Sequence, residues 1–292
     1  MPISSRRLGL SRLIERWLAS KNMRRKVFRS LSRQGYHVHR EFGDHSFIYD
    51  PSEAIGKMLD DYGDVNRAET VDIIRRGLAA AGRDSGGVYL ELGANIGTQA
   101  IYAGLAFDFD RLMAVEPDPD TFKVLDMNVR INGLSERTQV FDVAVSDAAG
   151  TAQLQRSRRN TGVSTLRTHA LDEINARPGG PDTLDSVDVR LVRGDDLIAE
   201  NGVAPQDIAM LWIDVEGYEP QALAGMPQIL SHKPPMFIEY TPAWLTGDER
   251  ALIENALFDT YATVSVHQEG GRQIDRNGFR ALEKQFDLFA LP

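Results

Sequence analysis

The stretch that decides the fold is Val-Tyr-Leu-Glu-Leu-Gly-Ala-Asn-Ile-Gly, residues 88–97. Its first five residues are mostly apolar and predict a buried β-strand, and the glycines after them predict a tight turn. A helix is predicted from Thr98 to about Ala106. Glycines in such a turn let a ligand approach the backbone, and the N-terminus of the helix offers free N–H groups. We therefore expect a ligand-binding loop here.

An acidic residue ends the next predicted strand, residues 112–115. Glu116 comes 19 residues after Gly97, where a carboxylate can accept two hydrogen bonds from ribose hydroxyls. The ends of the following helix are also indicated. Asp118 suits the N-cap, Pro119 the first helical position and Asn132-Gly133 the C-terminal stop.

The rest of the chain alternates in the same way. Strands are predicted at 138–145, 187–192, 209–213, 235–240, 261–266 and 286–291, and helices at 68–81, 218–231 and 248–258. This alternation predicts an α/β fold with a parallel sheet covered by helices on both faces. Residues 1–60 are predicted to form a basic helical extension, although 34–66 show no clear pattern. Residues 61–292 are predicted to form the main domain, with an insertion at about 150–190.

The turn indicates which ligand fits. A dinucleotide fingerprint has a glycine where this chain has Asn95, and without that glycine the backbone is less suited to a pyrophosphate. A nucleoside that carries an amino acid and no phosphate fits better, and S-adenosylmethionine is such a molecule. A nucleotide-dependent oxidoreductase on a related fold stays open as an alternative, as does a binding module without activity.

Several segments together resemble the FkbM-type methyltransferases. The matching positions are residues 90–97, 114–119, Phe122, Leu125, Asn128, 132–133, 144–147, 213–217, Glu219, 223–225 and 238–239. Two positions depart from the family pattern. Trp212 stands where the family usually has lysine, and residues 192–197 differ from the usual Leu-Asp, which makes the acceptor pocket harder to infer.

The resemblance implies a Rossmann-like class I methyltransferase fold, a mostly parallel seven-stranded sheet and S-adenosylmethionine as the cofactor. It implies that the loop holds the methionine part, that Glu116 binds the ribose and that residues 142–144 border the adenine. The cofactor-binding residues that we expect are Glu91, Gly93, Ala94, Asn95, Gly97, Glu116, Pro117, Asp142, Ala144 and Asp214. Family members typically methylate hydroxyls of sugars or natural products, so a small-molecule or glycan acceptor is expected.

The candidate catalytic residues are three carboxylates. An alcohol is a poor nucleophile and benefits from a base that removes its proton. Asp214 and Glu239 lie at the ends of predicted strands, where parallel sheets bind ligands, and Glu216 lies two residues beyond Asp214. Asp214 is the first choice as base or orienting residue. Glu216 could instead be a charge at the N-terminus of a helix, and Glu239 a solvated acid at a strand end.

Other chemistry at the site is left open. The three carboxylates could hold Mg²⁺, but no histidine-rich spacing supports a metal, so none is expected. An acceptor nitrogen or carboxylate remains possible. The insertion is the candidate acceptor-binding element. His169 is a candidate base there, and Arg156, Arg158 and Arg159 either bind an anionic acceptor or form a solvated loop.

Charge is unevenly distributed. The net charge is −9, yet residues 1–33 carry ten basic residues and one acid. The acidic remainder argues against nucleic-acid binding. Residues 8–18 predict a basic amphipathic helix, which either packs on its own domain or contacts an anionic membrane surface weakly. The chain has no cysteine, no apolar run long enough for a membrane span and no convincing signal peptide, so a cytoplasmic location is expected.

Overall fold

The computed structural model describes residues 20–32, 34–63, 66–157, 164–167 and 184–292. The chain divides into two compact units, Met1–Val65 and Asn66–Pro292. The predicted helix at 8–18 lies outside the described residues, as do Arg158, Arg159 and His169 and much of the predicted insertion.

The N-terminal unit contains a hairpin in addition to helices. Its elements are α1 (Lys21–Ser32), β1 (Val38–Glu41), β2 (Ser46–Tyr49) and α2 (Ala54–Tyr62). The hairpin is antiparallel, and its Phe47 and Tyr49 are buried, as is Leu59 of α2. Arg24 of α1 donates to Asp60 of α2 at 2.7 Å. Part of the basic charge is therefore neutralised within this unit.

The second unit alternates strands and helices. Its strands are β3 (Val88–Leu92), β4 (Arg111–Val115), β5 (Thr138–Phe141), β6 (Val143–Val145), β7 (Gly150–Ser157), β8 (Leu184–Val192), β9 (Ile208–Ile213), β10 (Met236–Tyr240), β11 (Thr263–Val266), β12 (Arg272–Gln273) and β13 (Phe286–Leu291). Its helices are α3 (Arg67–Ala80), α4 (Thr98–Ala106), α5 (Pro119–Ile131), α6 (Gly194–Glu200), α7 (Glu219–Ala224), α8 (Pro227–Ser231), α9 (Gly247–Phe258) and α10 (Arg276–Arg280).

The main sheet has the strand order β12-β11-β13-β10-β9-β3-β4-β5. Neighbours from β10 to β5 are parallel, and β13, β11 and β12 pair antiparallel. The prediction of a mostly parallel α/β sheet is confirmed. The sheet has eight strands rather than seven, because the two-residue β12 extends one edge. Every residue of β3, β9 and β10 is buried, as expected of parallel strands with both faces covered.

The strand order reverses beside β3. The chain proceeds from β3 to β4 and β5 on one side, and β9 and β10 lie on the other. Sheets of this kind bind ligands outside the carboxyl ends of the strands at such a reversal. Leu92 and Ile213 end the two strands and are register partners. The amide of Asp214 donates to the carbonyl of Leu92 at 3.0 Å, so the loops after β3 and β9 lie side by side.

The third predicted strand, 138–145, is wrong as one continuous strand. Asp142 interrupts it, β5 stays in the main sheet, and β6 joins a second sheet of order β6-β8-β7. Strands β7 and β8 pair antiparallel and include the ends of the predicted insertion. They have eight and nine residues, and β8 begins before the predicted strand 187–192.

The helix predicted at 218–231 is also wrong as a single element. It divides into α7 and α8 around Gly225 and Met226, and Pro227 begins α8 because it cannot continue the preceding helix. The cap predictions for α5 are confirmed, since the Asp118 side chain accepts hydrogen bonds from two amides of the first turn and Pro119 begins the helix.

In the part of the chain described here, no helix is both long and apolar enough to cross a bilayer.

Candidate active site

The loop after β3 requires glycine at two positions. Gly93 has φ +85°, and a Cβ there would overlap the backbone carbonyl of Asp214. Gly97 has φ +91°, and a Cβ there would lie 2.6 Å from a methyl carbon of Leu125. Positive φ values are unfavourable for residues with a side chain. Gly93 therefore brings the β3 loop into direct contact with the β9 loop, and Gly97 brings it against α5.

Asn95 adopts the left-handed conformation between these glycines, with φ 51°. Its side-chain oxygen accepts from the amide of Ile96 at 2.8 Å, a local bond of the kind that lets asparagine adopt this conformation. The buried amide of Asn128 donates to the carbonyl of Ile96 at 2.9 Å. The amide of Ala94 donates to the end of β4 at 2.9 Å. The loop is thus fixed from several sides.

Glu116 connects this loop with the end of β4. Its Oε2 accepts from the amide of Asn95 at 2.9 Å, and its Oε1 accepts from the amide of Asp118 at 2.8 Å. Burial raises the pKa of Glu116 to about 7. A carboxylate has about four acceptor positions, so two remain after these bonds. The geometry leaves Glu116 able to accept hydrogen bonds from a ligand diol.

The residues predicted to border the adenine lie after β5, next to Glu116. The amide of Glu116 donates to the carbonyl of Phe141 at 3.0 Å, and Asp142 follows directly. Ala144 is buried in β6, and Pro117 is half-buried beside Glu116. The structure therefore brings Asp142 near Glu116, at the carboxyl ends of the strands.

The three predicted catalytic carboxylates are close together. One oxygen each of Asp214, Glu216 and Glu239 lies within 4.8 Å of the others. Asp214 and Glu216 belong to the loop after β9, and Glu239 is in β10, the neighbouring strand. Glu216 has φ 51°, a strained value for a residue with a side chain. Carboxylates at this spacing can share protons or bind a cation with oxygen ligands.

Burial changes the acidity of this cluster. It raises the pKa of Asp214 to about 7, with further contributions from Asp287 and Glu219. Burial and the negative charge of Asp214 raise the pKa of Glu239 well above its ordinary range. The Oε1 of Glu239 accepts from the side chain of Gln285, and within the described residues its buried Oε2 has no partner. Burial therefore favours the protonated form of both carboxyls.

Glu91 is a further buried acid, in the centre of β3. Burial, Asp214 and Glu116 raise its pKa well above the ordinary value. Its register partner in β9 is Trp212, and the ring centroid of Trp212 lies 4.2 Å from that of Phe237. Because an indole carries no positive charge, Trp212 does not compensate Glu91.

Glu219 is a functional candidate that the sequence reasoning missed. It is buried, and its Oε1 accepts from the amides of Val215 and Gly217, each at 3.2 Å. Burial raises its pKa to about 7. It was matched to the family pattern without a role, although its place in the first turn of a helix is typical of an acid that accepts from backbone amides.

The described part of the predicted insertion contains Arg156. Its guanidinium donates to Asp185 at 2.7 Å and to Asp120 at 3.0 Å, and lies 3.6 Å from Asp118. These carboxylates neutralise its charge, which argues against the use of Arg156 for an anionic acceptor.

Comparison with known proteins identifies the domain. Residues 91–261 match a family model described as the methyltransferase FkbM domain. The chain is 30% identical over 155 residues to methyltransferase sdnD of Sordaria araneosa. It is 31% identical over 159 residues to the 31-O-demethyl-FK506 methyltransferase FkbM of Streptomyces tacrolimicus. Each match covers 48% of this chain and 60% of the relative, so the chain spans less than two thirds of these relatives.

Solved structures are similar at low identity. Methyltransferase FkbM of Methylobacillus flagellatus KT is 17% identical, with a TM-score of 0.44 over 71% of this chain and 44% of that one. The O-methyltransferase TomG of Streptomyces achromogenes, in complex with SAM, is 12% identical, with a TM-score of 0.40 over 77% of this chain and 79% of that one.

Proposed function

Because the chain belongs to the FkbM methyltransferase family, we propose that it transfers a methyl group from S-adenosylmethionine to a hydroxyl oxygen of a sugar, glycan or natural product. One observation carries the proposal. The glycine loop after β3, Glu116 at the end of β4 and Asp214 after β9 meet at the point where the strand order reverses.

The residues around this crevice fit the cofactor. The free acceptor positions of Glu116 suit the two ribose hydroxyls. Gly93 and Asn95 form a cradle for the methionine part, and Asp142 lies where an adenine would continue from the ribose. S-adenosylmethionine supplies a methyl group already activated by the positive sulfur. In their ionised forms, Glu116 and Asp214 complement that charge.

The acidities of the cluster favour Asp214 as the base. A base acts best when its pKa is near the working pH, and the pKa of Asp214 is about 7. The pKa of Glu239 is raised well above its usual range by burial and by the charge of Asp214, which makes Glu239 the weaker candidate for the base. We propose that Asp214 accepts the proton of the acceptor's hydroxyl group. In this proposal Glu239 orients that hydroxyl group and Glu216 positions the rest of the acceptor.

Two observations bear on the alternatives, which are another acceptor atom and a dinucleotide-dependent oxidoreductase. The name of the Streptomyces tacrolimicus relative describes a methyltransferase acting on 31-O-demethyl-FK506, which favours an oxygen acceptor over a nitrogen or a carboxylate. The missing middle glycine at Asn95 disfavours a dinucleotide-dependent oxidoreductase. A cytoplasmic location and a weak membrane contact of the basic N-terminus stay predictions.

The test is a screen with methyl-labelled S-adenosylmethionine against alcohols, amines and carboxylic acids, with and without EDTA. We expect label to enter hydroxyl acceptors and Asp214→Asn to lower kcat by about 100-fold, the usual effect of losing a positioned base. The matched control is Asp196→Asn, since Asp196 is an exposed acid on α6. Calorimetry should detect S-adenosylmethionine binding and no NAD binding. Label in amines alone, or binding of NAD alone, would overturn the proposal.

A further inference from the structure

The turn after β9 holds a strained residue in the candidate catalytic cluster. Glu216 has φ 51°, and a residue with a side chain persists in this conformation only where its surroundings hold it. This conformation matters because, with it, a carboxylate oxygen of Glu216 lies within 4.8 Å of carboxylate oxygens of Asp214 and Glu239. The groups that hold this turn therefore control the geometry of the cluster.

One side of the turn is held through its amides. The carboxylate of Glu219 accepts from Val215 and from Gly217. The carbonyl groups of Glu216 and Gly217 accept hydrogen bonds from other residues, which lie in the segment 164–167 after β7.

Thr165 and Arg167 hold those carbonyl groups. The buried Thr165 donates through Oγ1 to the carbonyl of Glu216 at 2.7 Å. Arg167 donates through a guanidinium nitrogen to the carbonyl of Gly217 at 2.8 Å. Thr165 also exchanges backbone hydrogen bonds with Gln155 of β7, at 2.8 and 3.0 Å. The contact thus connects the β7 side of the insertion with the turn.

The Arg167 side chain is itself fixed in place. It donates to both oxygens of Glu249, at 2.9 and 2.6 Å, a bidentate geometry that restricts the guanidinium. Glu249 is held by Gln221, which donates to it at 3.1 Å. A Cβ on Gly217 would lie 2.9 Å from Cδ of Arg167 and 3.0 Å from the ring of Trp244. Gly217 thus gives the arginine room to cross the turn.

We propose that Thr165 and Arg167 are positioning residues that hold the turn 215–217 in the conformation where Glu216 faces Asp214 and Glu239. The expected effect on kcat rests on the proposed methyl transfer. The expected effect on the conformation of the turn rests on the contacts alone. Through these residues, the segment following β7 sets the geometry of the cluster that receives the acceptor.

The test uses two variants and a matched control for each. Thr165→Val removes the hydroxyl and keeps the shape. Its control is Thr138→Val, since the buried Thr138 hydroxyl has no partner among the described residues. Arg167→Met removes the guanidinium and keeps most of the aliphatic stem. Its control is Arg276→Met, because Arg276 also pairs with a glutamate of α9, Glu254, at 3.1 Å.

Two measurements distinguish positioning from a general loss of stability. With the hydroxyl acceptor identified by the screen, we expect Thr165→Val and Arg167→Met to lower kcat about 10- to 100-fold, the scale of a displacement near 1 Å. The KM for S-adenosylmethionine should stay within about threefold, because the loop after β3 is untouched. Hydrogen exchange of the amides of Val215 and Gly217 should accelerate about tenfold in both variants and in neither control.

Unchanged exchange in both variants would overturn the inference, and so would a loss of kcat equal to that of the controls. If the wild-type chain methylates no acceptor, the proposed function fails, and the exchange measurement still decides whether the two residues hold the turn. Conversely, full activity with unchanged exchange in both variants removes the positioning role and leaves the proposed function intact.

Discussion

Binding of S-adenosylmethionine should depend on pH through Glu116. Burial raises the pKa of this carboxyl from 4.5 to about 7. At pH 7, Glu116 is therefore protonated in about half of the unliganded molecules. Ribose hydroxyls donate to the ionised form, because charge-assisted hydrogen bonds are stronger than neutral ones. Cofactor binding therefore has to displace the proton, and affinity should rise as the pH approaches and passes 7.

The size of the effect follows from that pKa. The ionised fraction changes about tenfold between pH 6 and pH 8, which is about 1.4 kcal/mol of binding free energy. At pH 7 the ionisation of Glu116 should contribute about half a proton to the proton release on binding, which calorimetry in two buffers of different ionisation enthalpy measures as the difference between the wild type and Glu116→Gln. Glu116→Gln should remove the part of this dependence that comes from Glu116 and weaken binding at pH 8 by about 1.5–3 kcal/mol, the range for a hydrogen bond to a charged group.

A matched control isolates this residue. Glu219 is also buried, also accepts from two amides and also has a pKa of about 7, but it faces the turn after β9. Glu219→Gln should keep the dependence that Glu116→Gln loses. The amino group of the ligand titrates alike in both variants, so their difference reports on Glu116 alone. Equal slopes in the two variants, or wild-type affinity constant from pH 6 to pH 8, would refute the ribose assignment.

Four further outcomes are expected. Gly93→Ala should destabilise the chain by about 3 kcal/mol or more, because the new methyl overlaps the Asp214 carbonyl; an unchanged urea midpoint would contradict this. Asp195→Ala should cost about 2 kcal/mol, since its carboxylate accepts from two amides that begin α8; equal thermal stability would show that those bonds contribute little. Asn128→Ala should cost about 1–3 kcal/mol by leaving the buried Ile96 carbonyl unpaired, and should weaken cofactor binding in calorimetry; unchanged affinity would separate this bond from the loop. The three carboxyls with pKa near 7 bind protons more tightly in the native state than in the unfolded chain. The unliganded chain should therefore lose stability as pH rises from about 4.5 to 7, and stability constant across that window would contradict the raised pKa values.

Local sequence signals predicted the elements that carry the candidate cofactor site. The strand before Gly93 and the helix after Gly97 were both predictable, because strong apolar runs and special residues mark these junctions. Asp118 as the N-cap of α5 belongs to the same class. Asp214 and Glu239 were predictable as neighbours because the carboxyl ends of parallel strands lie at one edge of a sheet.

The features that the sequence did not reveal depend on contacts between distant segments. Gly225 ends α7 where a Cβ would overlap the carbonyl of Ser146, a close approach that no helical pattern contains. The bonds from Thr165 and Arg167 to the turn after β9 join residues about fifty positions apart. Such pairings are fixed by the topology, and a single sequence gives no period or spacing from which to infer them.

The arrangement of acids explains why cofactor binding and proton transfer should be linked. Glu91, Glu116, Asp214 and Glu239 all have raised pKa values, since each is desolvated and three of them are raised further by another of the four. A ligand that brings positive charge into this crevice favours the ionised forms and lowers those pKa values. Asp214, partly protonated in the unliganded chain, would then become ionised when the methyl donor binds. In the proposed reaction, cofactor binding would therefore favour the ionised form of Asp214 that acts as the base, and the turn at Glu216 would hold the acceptor beside it.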